Sequence, residues 1–344
     1  MRAVLLLASA GLFTGCVATP PPIASLPAVD VVALAETVPV GTAAQDAADD
    51  PAIWRNPADP AASLIVATDK KAGLYVYGLD GKARHFEPAG LLNNVDLTTL
   101  PDGTVLVVAT DRNDLAQAKL RLYRLDTATA KLAPLGAVTG GAGEAYGVCL
   151  WREDGVLYAF SVLKPGNVHQ VRLEIGGAAP TGTIVRSLKL ATQTEGCVVD
   201  TRTATLYVGE EDVGIWRFDA RQIGSVTGNL VAPTDGAQLV ADVEGLALAP
   251  SGAAGGWLVA SSQGDNAYSL YRLPGMERAG RFRVAAGKFG ATQETDGIEV
   301  ALGNFGPEYP EGLVVVQDGA NPPSAQNFKL VSWRAVREAL QLAD

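Results

Sequence analysis

The chain has 344 residues, 48% hydrophobic but only 6% aromatic, with 38 glycines, 20 prolines and a formal charge of -10. That balance excludes non-specific nucleic-acid binding, which needs basic residues to neutralise phosphates, and it obliges any anionic ligand to find a local basic patch or bound cations. The length exceeds the usual single-domain range, yet a closed array of repeats reaches it without dividing the core.

Residues 1–15 read as an export signal: a charged start, Met1-Arg2, then an apolar run from Ala3 to Phe13 that is too short to span a bilayer. The run ends in Leu12-Phe-Thr-Gly-Cys16, which is similar to a bacterial lipobox and makes Cys16 the acylated first residue of an outer-membrane lipoprotein. Plain cleavage, giving a periplasmic or secreted protein, is the alternative. The proline-rich residues 16–27 read as a tether, and residues 28–344 as one domain.

From Asp46-Ala-Ala-Asp-Asp-Pro-Ala-Ile-Trp54 onward the chain repeats a plan in which a polar group enters a short apolar run. Counted on Asp50, Asp96, Tyr146, Glu195, Glu244 and Asp296, the spacings are 46, 50, 49, 49 and 52 residues. Each repeat carries two further apolar runs, as in Leu64-Ile-Val-Ala67 and Leu74-Tyr-Val-Tyr77. Periods near 50 residues with four short strands predict an all-β, six-bladed β-propeller of four-stranded antiparallel blades, acting as a monomer. Val29 to Ala35 is expected to supply the outer strand of the last blade and so remove a free edge. Trp333 to Leu342 has helical spacing and reads as a packed C-terminal helix. Cys149 and Cys197 fall at opposite parity on neighbouring repeats, which predicts two buried thiols in place of a disulfide.

Antiparallel pairing puts the loop between the second and third strands on the same face as the anchors. Those loops hold Lys70-Lys71, Arg112 and Lys164 in the first three repeats, and Glu210-Glu-Asp212, Asp265 and Asp318 in the last three. With Asp50, Asp96, Glu195, Asp242, Glu244 and Asp296, one face gains a carboxylate cluster beside a basic arc. Turn chemistry explains such acids singly, but not their recurrence at strand starts. Oxygen-only ligands and a chain with two histidines favour Ca²⁺, several ions of it, over zinc or copper. Beside them, Lys70, Lys71, Arg112 and Lys164 suit a phosphate ester. Gly140-Gly-Ala-Gly143 lacks a P-loop ending, and no Gly-x-Ser-x-Gly elbow occurs.

The chain resembles the bacterial β-propeller phytases from about Asp30 to its end. The likeness is carried by Asp46 to Trp54, Lys70-Lys71, Asn93-Asn-Val-Asp96, Tyr146-Gly147, Gln193-Thr-Glu-Gly196, Glu210-Glu-Asp212, Asp242-Val-Glu-Gly245, Thr295-Asp-Gly-Ile298, Gln317-Asp-Gly319 and Gln326-Asn-Phe-Lys329. The resemblance implies hydrolysis of phytate, met as the calcium salt, by a metal-activated water. It implies Ca²⁺ on Asp50, Asp96, Glu195, Glu211, Asp242, Glu244 and Asp296, with Glu211, Asp50, Asp96 and Glu195 as the catalytic set. Lys70, Lys71, Arg112, Tyr146 and Lys164 would contact substrate phosphates, and the lipid on Cys16 would be the only link to a membrane. The sequence departs from the family at Ala285 to Glu294, where Glu294 is the only carboxylate, so the segment is poor in ligands for one of the family's structural calcium sites. A tethered propeller that binds phosphorylated ligands without turnover is the competing class, and a calcium-dependent lactonase, with one deep metal and no basic arc, the competing enzyme.

Overall fold

The computed structural model describes residues 25–43 and 46–343; the export signal, Cys16 and most of the tether lie outside the described residues. Six sheets are arranged as blades, and their innermost strands are Ala48–Trp54, Leu92–Thr99, Ala145–Glu153, Thr194–Asp200, Val243–Ser251 and Ile298–Leu302. Within a blade the strands follow one another antiparallel from the centre outward, and five blades have four strands while the fifth has five. Second strands such as Leu64–Asp69 and Gly312–Asp318 are buried along their whole length, because both faces of a blade are covered by its neighbours. That is why the sequence shows continuous Val/Leu/Ala runs and no clean alternation.

Six apolar clusters fill the six gaps between neighbouring blades. The gap between blades one and two, for example, packs Val66 and Val76 against Leu92, Val107 and Leu125. Since no gap is wider than two sheets of small side chains, the fold needs few aromatics.

The ends close the ring differently from the expectation. Val29–Val32 does not serve the last blade: it pairs parallel with Glu277–Ala285 of blade five, from Val29 opposite Phe282 to Val32 opposite Ala285. The chain then crosses to blade six, where Ala35–Glu36 pairs antiparallel with Asn327–Ser332 and the Leu34 and Thr37 amides donate to Leu330 O and Phe328 O, each at 2.9 Å. Arg283, within 2.6 Å of Asp30, and the buried Val31 hold the first segment to blade five, so one stretch of chain staples two blades. The helix Trp333–Leu340 follows as predicted, with Trp333 and Val336 buried in the same cluster as Val31.

The cysteine expectation is also corrected, since Cys149 and Cys197 form a disulfide with Cα atoms 5.7 Å apart. Opposite parity does place them on opposite faces of their blades, but blades stack face to face around the ring. The far face of blade three therefore meets the near face of blade four, and opposite parity is what brings the two sulfurs together.

Candidate active site

Each of the first five inner strands breaks register with its neighbour near its start, and two residues lie inside each break. The pairs are Asp49-Asp50, Asn93-Asn94, Tyr146-Gly147, Glu195-Gly196 and Glu244-Gly245, with Asp296-Gly297 entering the sixth strand. A bulge turns its first residue to the centre of the face and leaves the second against the next blade. The glycines follow from that contact, since a Cβ at Gly147 would lie 1.9 Å from the Glu195 carbonyl oxygen, and one at Gly196 would lie 2.0 Å from that of Glu244. The central ring is thus Asp49, Asn93, Tyr146, Glu195, Glu244 and Asp296.

The sequence-based anchors agree with this ring in four blades and miss it in two. Asp50 is one residue late, and its Oδ2 accepts from the Val95 amide at 3.0 Å. Asp96 is three residues late, with Oδ1 accepting from the Leu97 amide at 2.6 Å and Oδ2 from Leu150 at 2.7 Å. Both turn, with Glu299, into the central channel lined by all six inner strands, a cavity of about 400 Å³. Burial pushes the Asp96 carboxyl up to about 6 against those amide bonds. The overlooked residues are Asp49 and Asn93. The doubled aspartates and doubled asparagines before an apolar run were the available signal, because a bulge needs two residues where a plain strand needs one.

Carboxylates gather into two overlapping triads, Asp49/Glu195/Asp296 and Glu195/Glu211/Glu244, each with oxygens within 4.8 Å of one another. Asn93 Nδ2 donates to Glu195 Oε1 at 2.8 Å, and the Asp296 amide donates to Gln317 Oε1 at 3.0 Å. Burial, and then neighbouring carboxylates, push Asp49, Glu195 and Glu244 well above the usual carboxylate range. Glu211 is raised to about 7, by burial first, with Asp242 and Asp296 adding and Gln193 and Lys164 opposing. Asp242, half-buried at the rim, is raised by burial and by Asp212.

Lys70 does not stand free beside this cluster but inside it. Its Nζ lies 3.1 Å from Asp49 Oδ1 and 3.1 Å from Asp296 Oδ2, and it also pairs with Asp46. Burial works to lower the Lys70 pKa, and Asp296, Asp49, Glu195 and Asp46 together overcome it, leaving the ammonium well above its ordinary value. The rest of the basic arc forms around Tyr146: Arg112 lies 5.9 Å and Lys164 5.0 Å from the ring centroid. Gln193 Nε2 donates to the Tyr146 hydroxyl at 3.2 Å, and Arg112 Nη1 lies 3.5 Å from Glu144 Oε1.

Several acids of the loops on this face are spent elsewhere. Asp111 is 2.7 Å from Arg121, Asp265 is 2.6 Å from Arg281, and Asp318 is 3.0 Å from Lys329. Glu210 accepts from Trp216 Nε1 at 2.8 Å and from the Thr192 amide at 2.7 Å. These hold loops to strands, the ordinary work of acids at turns.

What remains at the centre fits a hard dication. Asp49 Oδ2, Glu211 Oε1 and Glu244 Oε2 are buried without a hydrogen-bond partner. Unpaired carboxylate oxygens so placed are costly unless protonated or bound by a cation, and an all-oxygen set of this spacing suits calcium.

Two comparisons with known proteins bear on this geometry. A family model described as Phytase matches residues 3–344. The chain is also 39% identical over 328 residues to the 3-phytase of Bacillus subtilis (strain 168), an alignment that covers 90% of this chain and 85% of that one.

Proposed function

The chain belongs to the phytase family and hydrolyses phosphate monoesters of phytate, and we propose that it does so with calcium held on the central carboxylate ring. The observation that carries this reading is the pair of triads sharing Glu195, with orphaned oxygens facing the same surface as the basic arc. Asp49, Glu195, Glu211, Glu244 and Asp296 would hold the ions, with Asp242 at the rim. Bound calcium would neutralise the ester oxygens and acidify a water for in-line attack on phosphorus.

The chain's own groups supply the rest. Glu211, whose Oε1 is unpartnered, accepts the proton of the attacking water. Arg112 and Lys164, both gathered over the Tyr146 ring, take a second phosphate of the same ring, while Lys70 and Lys71 take one at the blade-one edge. A substrate with adjacent phosphates is then oriented at two points and a simple monoester at one. The disulfide supports export, because such bonds persist in oxidising compartments. On the same reading residues 1–15 are the export signal and Cys16 carries the lipid, which the mass of the mature N-terminus tests.

Glu211→Gln is expected to abolish phytate turnover with an unchanged melting profile, and Lys70→Ala to raise KM for phytate far more than for a monoester. Unchanged phytate kinetics in both variants would remove these residues from the site.

A further inference from the structure

Asp46 takes no part in the chemistry above, yet it occupies two groups that the substrate needs. It stands in the left-handed backbone region, φ 61°, just before the first inner strand. The two amides that follow it, Ala47 and Ala48, both donate to Gln326 Oε1, at 2.6 and 2.9 Å, so the strand start behind it is fixed. Its side chain is 63% exposed and lies across both lysines, with Oδ1 on Lys70 Nζ and Oδ2 3.3 Å from Lys71 Nζ. The lysine backbone is held independently, since Lys70 N donates to Ala47 O at 2.6 Å and Lys71 N to Asp69 Oδ1 at 3.1 Å.

One oxygen on each of two ammonium groups is the arrangement that two oxygens of a phosphate would adopt there. Lys70 keeps Asp49 and Asp296 as partners without Asp46, so the Asp46 contact is not what neutralises the buried charge. Lys71 has Asp46 as its one ion-pair partner among the described residues.

We propose that Asp46 is a specificity-determining residue: its carboxylate caps the Lys70/Lys71 pair in the resting protein and must be exchanged for a substrate phosphate. Binding at this edge is then the replacement of a monoanion by a more highly charged phosphate. Weakly charged anions do not displace the carboxylate, and it returns as product phosphate leaves. This rests on the reading of Lys70 and Lys71 as phosphate-binding residues.

Asp46→Asn removes the competing charge while keeping the shape. It is expected to lower KM for phytate about fivefold, equivalent to about 1 kcal/mol, the upper end for an ion pair of which one member is exposed. Orthophosphate binding to the calcium-loaded protein, read by calorimetry, tightens by a similar factor, while kcat/KM for a simple monoester stays put. Asp46→Glu keeps the cap and restores wild-type values. Unchanged or weakened phosphate binding in Asp46→Asn, or an Asp46→Glu variant that behaves like it, would overturn the proposal. Lys70→Ala separates the two layers. If it raises phytate KM while Asp46→Asn changes nothing, only the cap is wrong; if it too changes nothing, the phosphate-binding reading fails and the cap with it.

Discussion

Lys70→Met isolates the balance of charge at the centre of the face. The substitution keeps the aliphatic stem and removes the only cation ion-paired with Asp49 and Asp296 among the described residues. Stranding one partner of a buried pair costs about 3–5 kcal/mol. At roughly 2.1 cal/mol/K per residue, a chain of 344 residues unfolds with an entropy of about 0.7 kcal/mol/K, so the metal-free variant is expected to melt about 4–7 °C lower. The loss has a pH signature. Burial already raises the Asp49, Glu195 and Glu244 carboxyls, and removing the ammonium raises them further. A carboxyl whose folded value is raised costs nothing below its unfolded value, near 4, and costs most above its folded one. The deficit should therefore shrink as pH falls toward 4 and grow as pH rises above it. Saturating calcium should also erase it, because cations then occupy the cluster. Thermal unfolding of wild type and variant, with chelator and with calcium at pH 4 and pH 8, reads all of this. A deficit that persists unchanged in calcium, or no deficit in chelator at pH 8, would refute the reasoning.

Two further substitutions test how the site is held. Replacing Cys149 and Cys197 by serine opens a loop with a sequence separation of 48, for which chain entropy gives a loss of about 4 kcal/mol at most, seen as a lower denaturation midpoint that reductant reproduces in the wild type. An unchanged midpoint in both would mean that the staple does not constrain the unfolded chain. Gly147→Ala puts a methyl 1.9 Å from the Glu195 carbonyl oxygen, so the ring must open at its shared glutamate. Both stability and calcium affinity are expected to fall, and a variant with wild-type calcium titration would show that the ring tolerates the shift.

Much of this was legible in the residues. Blade number, the strand runs and the terminal helix follow from the period, and the anchors Tyr146, Glu195, Glu244 and Asp296 follow from an acid or phenol ahead of Gly. Where the second bulge residue is Asp50 or Asn94, no glycine marks the break, and counting landed on Asp50 and Asp96, which serve backbone amides in the channel. The disulfide was missed because strand parity describes one sheet, while the contact belongs to two sheets stacked face to face. Nor does spacing reveal that Asp111, Asp265 and Asp318 are already paired, since their partners Arg121, Arg281 and Lys329 sit on later strands of the same blades.

The most direct test is phosphate release from phytate by the chain lacking residues 1–27, assayed in calcium, after chelation, and after calcium is restored. Calcium-dependent hydrolysis on the carboxylate ring predicts release that disappears with chelator and returns with calcium, while Glu211→Gln stays silent throughout. Release that survives chelation, or a folded and calcium-loaded protein that releases nothing, would contradict it.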